Sequence, residues 1–415
     1  MSHPRCVNRR KLVLESLECR TMLAGDVQVD VHGSTLKLRG DSECNGVVIV
    51  QLDAGEYAVV GFFHDNEPTT INGGTDPVIV RGVRGNFNID LRGGDDLLGI
   101  GNDVERLAAL AADLGFDTGF DDDGDNFGLD EIPDEQLEIR GSLLVKTKAG
   151  EDGVVVTADV RRSIVINTGK QADGIAIADA RIGGSVILHT ESGRDGVLLE
   201  NVRIDDHLHV NTGKDGDTLI VAGSDIGHSV LLTGSGSDAV GISDTGFDQH
   251  AIVRTASGND EVVFSQVSAR RIDLDTGSGN DEVGLGNLSV AHDLLVRTGS
   301  GSDDLLLVDS EVDRALLLWL GSGNDVAEID NVGVGRHALI DAGSGNDEVT
   351  VTASDVDQLF QAFMGSGRDV LSISDSTARR AILRGGSKSD TLNVDETDFA
   401  DHVNQSQFED VNVGA

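Results

Sequence analysis

The apolar residues of this chain fall on a short, strict rhythm. In the stretch Thr276 to Arg297, Val283 and Leu285 alternate with polar neighbours, followed by Leu288 and Val290, then by Leu294 and Val296. Alternation of this kind puts every second side chain on one face of a strand. The next stretch repeats it with Leu305, Leu307, Val312, Leu316 and Leu318, and the one after with Ala327, Ile329, Val334, Ala338 and Ile340. Each set of three short strands ends in a glycine-rich turn, and nothing within a unit recurs at the helical period of 3.6. One segment differs. Asp103 to Gly115 reads as a single amphipathic helix with an aspartate at its start and a glycine at its end.

The turns set the period. Anchored on one aspartate per unit, the series is Asp152, Asp173, Asp195, Asp217, Asp238, Asp260, Asp281, Asp303, Asp325, Asp347, Asp369 and Asp390, with every gap 21 or 22 residues. Like residues therefore stand above like residues in successive coils. This predicts an all-β chain, a parallel β-helix (β-solenoid) of about 12 coils with about 4.8 Å between coils. The expected organisation has five parts: residues 1–25 as a targeting-like segment, 26–100 as an irregular β cap or early coils, and 101–136 as the helix with an acidic loop. The regular coils then fill 137–398, and 399–415 close the far end.

Composition narrows the class. The chain has 415 residues, 72 acidic and 32 basic, for a net charge of −40, with 53 glycines, one tryptophan and one tyrosine. That charge repels a phosphate backbone and argues against nucleic-acid binding. No apolar run is long enough to predict a membrane-spanning helix. Cys6, Cys19 and Cys44 form neither a disulfide framework nor a metal motif.

The aspartate file demands compensation. Neighbouring unit charges at the coil spacing repel by roughly 1 kcal/mol in water, and by about 3–4 kcal/mol at an effective dielectric of 20. Backbone amides of the turn, full solvation, or a hard cation such as Ca²⁺ between successive turns would each supply it. In the early coils Lys170, Arg194 and Lys214 are further candidates to neutralise the file.

Gly277-Ser278-Gly279-Asn280-Asp281-Glu282-Val283 resembles the calcium-binding nonapeptide of RTX proteins, G-G-x-G-x-D-x-U-x. It departs at the first glycine and occurs once per coil rather than twice. The resemblance implies one calcium column, with Asp238, Asp260, Asp281, Asp303, Asp325, Asp347 and Asp369 as ligands, and an extracellular life. A second candidate is the acidic loop Asp121 to Asn126. With Gly124 at the sixth position of an EF-hand loop, Asp121, Asp123 and Asp130 fall on ligand positions, although Gly119 stands first and aspartate replaces the twelfth-position glutamate. At the N-terminus, Leu14-Glu15-Ser16-Leu17-Glu18-Cys19-Arg20-Thr21-Met22-Leu23 resembles the LEPR-XLL tag of planctomycete surface and secreted proteins, with cysteine in the usual proline place. That likeness implies a sorting segment ahead of a surface or secreted repeat region. The alternative for this segment is a short amphipathic helix capping the solenoid.

The functional expectation is a non-enzymatic, secreted or cell-surface β-solenoid with a structural or adhesive role, binding calcium along its turns and meeting cell-surface or extracellular polymers. The alternatives are a carbohydrate-active enzyme with its site in residues 26–136, and a metal-free interaction scaffold. No G-x-S-x-G, H-E-x-x-H or P-loop motif is present. Two further files stand out. His207, His228 and His250 match across three coils, with His337 and His402 further along, and suit either a transition metal or a plain polar column. Thr147, Thr168, Thr190, Thr212, Thr233, Thr255, Thr276 and Thr298 form a single ladder of turn residues.

Overall fold

The structure is a computed structural model that describes residues 25–64, 67–116 and 132–413. All its strands but the short antiparallel pair Phe63–His64 and Glu67–Pro68 join into one continuous, mainly parallel ladder that winds as a β-solenoid. In one representative coil the chain runs through Glu282–Gly286, turns, and continues through Ser289–Ser300 into the next glycine turn. Each strand pairs with the strand one coil later. Val262 lies beside Val283, Val283 beside Leu305, Leu305 beside Ala327 and Ala327 beside Val349. The alternating residues read from the sequence all point inward: Val283, Leu285, Leu288, Val290, Leu294 and Val296 are each at most 2% exposed. Burying a side chain of this kind contributes about 1.5–3 kcal/mol, so each coil carries its own share of the core.

Corners need unusual backbone. Between the first and second strands of a coil sits one residue at positive φ: Asn287 at 55°, Asp309 at 50°, Asn331 at 55° and Asp375 at 49°. Asparagine and aspartate tolerate this left-handed region better than other side-chain-bearing residues. Neighbouring corners are then tied together, as where Asn331 Nδ2 donates to Asp309 Oδ1 at 2.6 Å. In the glycine turn the demand is stricter. Gly323 has φ of 138°, and a Cβ there would overlap the carbonyl oxygen of Gly301 one coil below.

The irregular N-terminal region joins the same stack. Gly46–Asp53 pairs in parallel with Leu97–Ile100, which pairs with Gly153–Val156. Two insertions interrupt the period without disturbing register. The first carries Glu56–Gly61, antiparallel to Gly46–Asp53. The second carries the helix α1 (Val104–Asp113). Asp103 caps α1, accepting the Arg106 amide at 2.9 Å, and Gly115 follows it at a φ of 91°. Leu107, Leu110 and Ala111 form its buried face, packed on the outer side of the stack with Val48, Val50, Val155 and Ala176. Arg106 ties the helix outward, reaching Asp179 at 3.0 Å and Glu200 at 2.7 Å.

The C-terminal tail joins the stack as a further coil. Asp398–Ser406 and Asp410–Val413 pair in parallel with the strands one coil before them, so the tail extends the ladder. Phe399 takes the register position beside Ala378. Among the described residues, no helix is long and apolar enough to cross a membrane.

Candidate functional site: the buried aspartate file

The turn aspartates do lie in one column, but that column is inside the protein. Asp238, Asp260, Asp281, Asp303, Asp325, Asp347 and Asp369 are each at most 3% exposed, as are Asp152, Asp173, Asp195, Asp217 and Asp390. Solvation therefore does not compensate them. Lys170, Arg194 and Lys214 are exposed, whereas Asp173, Asp195 and Asp217 are buried and shift upward with burial as the first cause.

Backbone amides make the first compensation. The Asp281 N–H donates to Asp303 Oδ1 at 2.9 Å, the Asp303 N–H to Asp325 Oδ1 at 2.9 Å, and the Asp325 N–H to Asp347 Oδ1 at 3.0 Å. The same bond joins Asp152 to Asp173, Asp195 to Asp217, Asp217 to Asp238, Asp238 to Asp260, and Asp369 to Asp390. Each carboxyl thus satisfies an amide that the sharp turn takes out of ordinary strand pairing. An unmade bond at a buried amide costs about 1–3 kcal/mol, so the side chain serves as part of the backbone's own accounting.

The ladder has defined ends. It starts at Asn45, whose N–H and Nδ2 both donate to Asp96 Oδ1, and the Asp96 N–H then donates to Asp152 Oδ1. It finishes where the Asp390 N–H donates to Glu409 Oε2 at 2.7 Å. Sequence periodicity does not reveal Asp96 as a member, because α1 and the acidic loop stretch its gap to Asp152 far beyond one coil. The visible signal is the Gly93-Gly94-Asp95-Asp96 string, a turn of the same composition.

Oδ1 is therefore spoken for, whereas Oδ2 is not. In every column member from Asp96 to Asp390, Oδ2 is buried without a hydrogen-bond donor. The threonine ladder runs beside it. Thr147, Thr190, Thr212, Thr255, Thr276 and Thr298 touch this region, and each hydroxyl donates upward to the carbonyl of the next coil, at 2.8–3.2 Å. A hydroxyl has one proton to give. The Asp152 carboxyl lies against the Thr147 hydroxyl and the Asp195 carboxyl against that of Thr190, contacts that favour the charged form, and the Thr168 and Thr233 hydroxyls beside Asp173 and Asp238 have no other partner among the described residues.

Burial outweighs those contacts. Burial pushes Asp152 and Asp195 up to about 7, Asp217 to about 8 and Asp173 to about 9. The neighbouring carboxyls add to the rise at Asp173 and Asp217. Burial also raises Asp325 to about 7 and Asp260 and Asp347 to about 6. Asp96, Asp238, Asp303, Asp369 and Asp390 shift upward for the same first reason.

The donor set can be tested against calcium. Ca²⁺ takes six to eight oxygen ligands. Here each coil offers one unpartnered carboxyl oxygen. The turn carbonyls are largely committed: Gly277 O accepts the Ser300 amide at 2.9 Å, Ser278 O the Gly258 amide at 2.8 Å, and Asp281 O the Asp304 amide at 2.9 Å. Among the described residues no three His, Cys, Asp or Glu side chains converge on one ion position. A cation between turns would draw on the unpartnered Oδ2 atoms and on the second lone pairs of those carbonyls.

Other candidate residues lie elsewhere. Asp121, Asp123 and Asp130 are outside the described residues, as are Leu14 to Leu23, Cys6 and Cys19. The Cys44 sulfur accepts the Asp95 amide at 3.2 Å, and burial raises its thiol to about 11, which leaves it unreactive. No protein family, curated protein or solved structure matches this chain.

Proposed function

We propose that the chain is a non-catalytic structural solenoid, a stiff spacer or adhesive rod held together by its amide-to-carboxyl ladder. The observation that carries this is the continuity of that ladder, from Asn45 to Glu409 through both insertions. The regular coils differ by one residue and leave little room for the long loops that wall a catalytic cleft, and the two earlier insertions carry an antiparallel strand and a helix packed on the stack. A groove beside the first coils is lined by His32, Lys37, Phe87, Asn88, Leu144 and Val165, and no described Asp or Glu lines it. Acid–base cleavage of a polysaccharide uses paired carboxyls or a base beside them. An extracellular or cell-surface location, with polymers there as partners, is the setting that the N-terminal tag resemblance favours.

In this proposal a proton removes the charge at the most strongly shifted members near neutral pH, Asp173 and Asp217 first. The unpartnered Oδ2 file also favours a second reading, in which calcium enters between turns and reorganises them. One experiment separates these roles. The full chain is melted with calcium and with chelator, and is incubated with acidic and neutral polysaccharides. The proposal expects the same melting temperature in both buffers, cosedimentation with a polymer, and no new reducing ends. A calcium-dependent rise in melting temperature would transfer the file to the second reading. Release of reducing ends with turnover would replace the structural role by an enzymatic one.

A further inference from the structure

Five of the chain's 11 histidines lie on the outer face of one sheet, within four consecutive coils. His207 is the register partner of His228, and His250 follows one coil later. Their ring centroids are 5.4 Å apart at each step, with the planes at 73° and 68°. His209 lies two residues beyond His207 on the same face, and its ring is 5.7 Å from that of His189. His207 is exposed, and His189, His209, His228 and His250 are half-buried, so solvent reaches all of them.

We infer that this patch is a binding site for a borderline divalent transition ion, of the class of Zn²⁺, Cu²⁺ or Ni²⁺, held between stacked imidazoles. Neutral imidazole is the ligand such ions prefer among side chains that do not oxidise. Burial and the neighbouring rings push His228 and His209 below the usual histidine range, which keeps them neutral and ready to bind. Zinc sits about 2.0–2.1 Å from an imidazole nitrogen. Two nitrogens flanking one ion are then about 4 Å apart, within reach of rings at the observed spacing once they turn about their side-chain bonds. The described side chains do not form a ready three-ligand cage. The site is accordingly a two-imidazole clamp completed by water, with His228 as the shared ligand of the His207–His228 and His228–His250 pairs. His207 and His250 alone are two coils apart, about 9.6 Å, too far to share an ion. The negative field of a chain of charge −40 concentrates cations near the patch. At one end the file stops at Arg271, the register partner of His250, whose guanidinium is held by Asp273 at 3.1 Å.

The test is calorimetric titration of the full chain with Zn²⁺ and with Cu²⁺, using four single variants. His228→Ala breaks both ring pairs of the His207–His228–His250 file, whereas His207→Ala and His250→Ala each leave one of the two, and the separate His189–His209 pair is untouched in all three. His337→Ala is the control, because its register partners are Ala315 and Leu359. Removing even an outer-shell partner of a metal site costs about 10–100-fold in affinity, and losing the shared ligand costs no less. The expected order is wild type equal to His337→Ala, then His207→Ala and His250→Ala, then His228→Ala weakest by at least about tenfold. All five side chains face outward, and circular dichroism of each variant confirms an unchanged fold. Equal affinity in wild type and His228→Ala, or no saturable heat in wild type, overturns the inference.

Discussion

Replacing one column carboxyl by its amide isolates the counter-charge. Asp325 is fully buried, its Oδ1 accepts the Asp303 amide, and its own amide donates to Asp347 Oδ1. In the Asp325→Asn variant the side chain keeps its shape and its Oδ1 acceptor, and a neutral Nδ2 stands in place of Oδ2. Burial holds Asp325 near 7, against an ordinary value of 3.8, with Asp303 and Asp347 adding to the rise. Each unit of pKa difference corresponds to 1.36 kcal/mol. The folded protein therefore favours the acid form of Asp325 by about 4 kcal/mol relative to the unfolded chain. Well above pH 7 that advantage is gone, whereas below pH 4 both states are protonated and it is fully present. Asp325→Asn should be nearly neutral for stability near pH 4 and, at pH 5, already more stable than wild type by about 1–2 kcal/mol, because the unfolded wild-type chain has by then lost its proton. At pH 9 it should be more stable than wild type by up to about 4 kcal/mol, a rise of several degrees in melting temperature. The assay is thermal melting followed by circular dichroism at pH 5, 7 and 9, with and without calcium. Equal destabilisation at every pH would refute the protonated carboxyl, and so would a calcium-dependent stabilisation that the variant abolishes.

Three other outcomes follow from the same geometry. For the wild-type chain, raised carboxyl values mean that the folded state binds more protons than the unfolded one, so melting temperature should fall as pH rises from 4 through the 6–9 window set by Asp260, Asp347, Asp152, Asp195, Asp325, Asp217 and Asp173. Gly323→Ala should lower the melting temperature and speed amide exchange in the turns around Gly301 and Gly345, because its Cβ meets the Gly301 carbonyl at positive φ. Leu307→Ala should cost about 2–5 kcal/mol in chemical denaturation, as a fully buried core side chain flanked in its column by Leu285 and Ile329.

Much of the fold is legible in the chain because a solenoid writes its geometry as a period. Val283, Leu305 and Ala327 stack in space because they recur in sequence, and α1 is marked at both ends by Asp103 and Gly115. The burial of the aspartate file is less legible. A repeated aspartate in a glycine turn looks like a solvated or metal-bound charge, since sequence shows spacing but not which way the side chain points. Its inward direction depends on the turn amides, whose lack of strand partners is a three-dimensional property. Asn45 and Glu409 escape notice because a change of residue type hides members of a ladder defined by hydrogen bonds, whereas Asp96 shows only through the degenerate turn Gly93-Gly94-Asp95-Asp96.

The most direct test of the proton-neutralised file is infrared spectroscopy of the carboxyl groups in the folded chain near neutral pH. Protonated carboxyls have a C=O stretch separate from that of carboxylates. The account predicts a protonated band at pH 6 that loses intensity on raising the pH through 9, is unchanged by calcium, and weakens when Asp173, Asp217 and Asp325 are changed to asparagine. A spectrum with only carboxylate bands at pH 6 in the folded protein would contradict it.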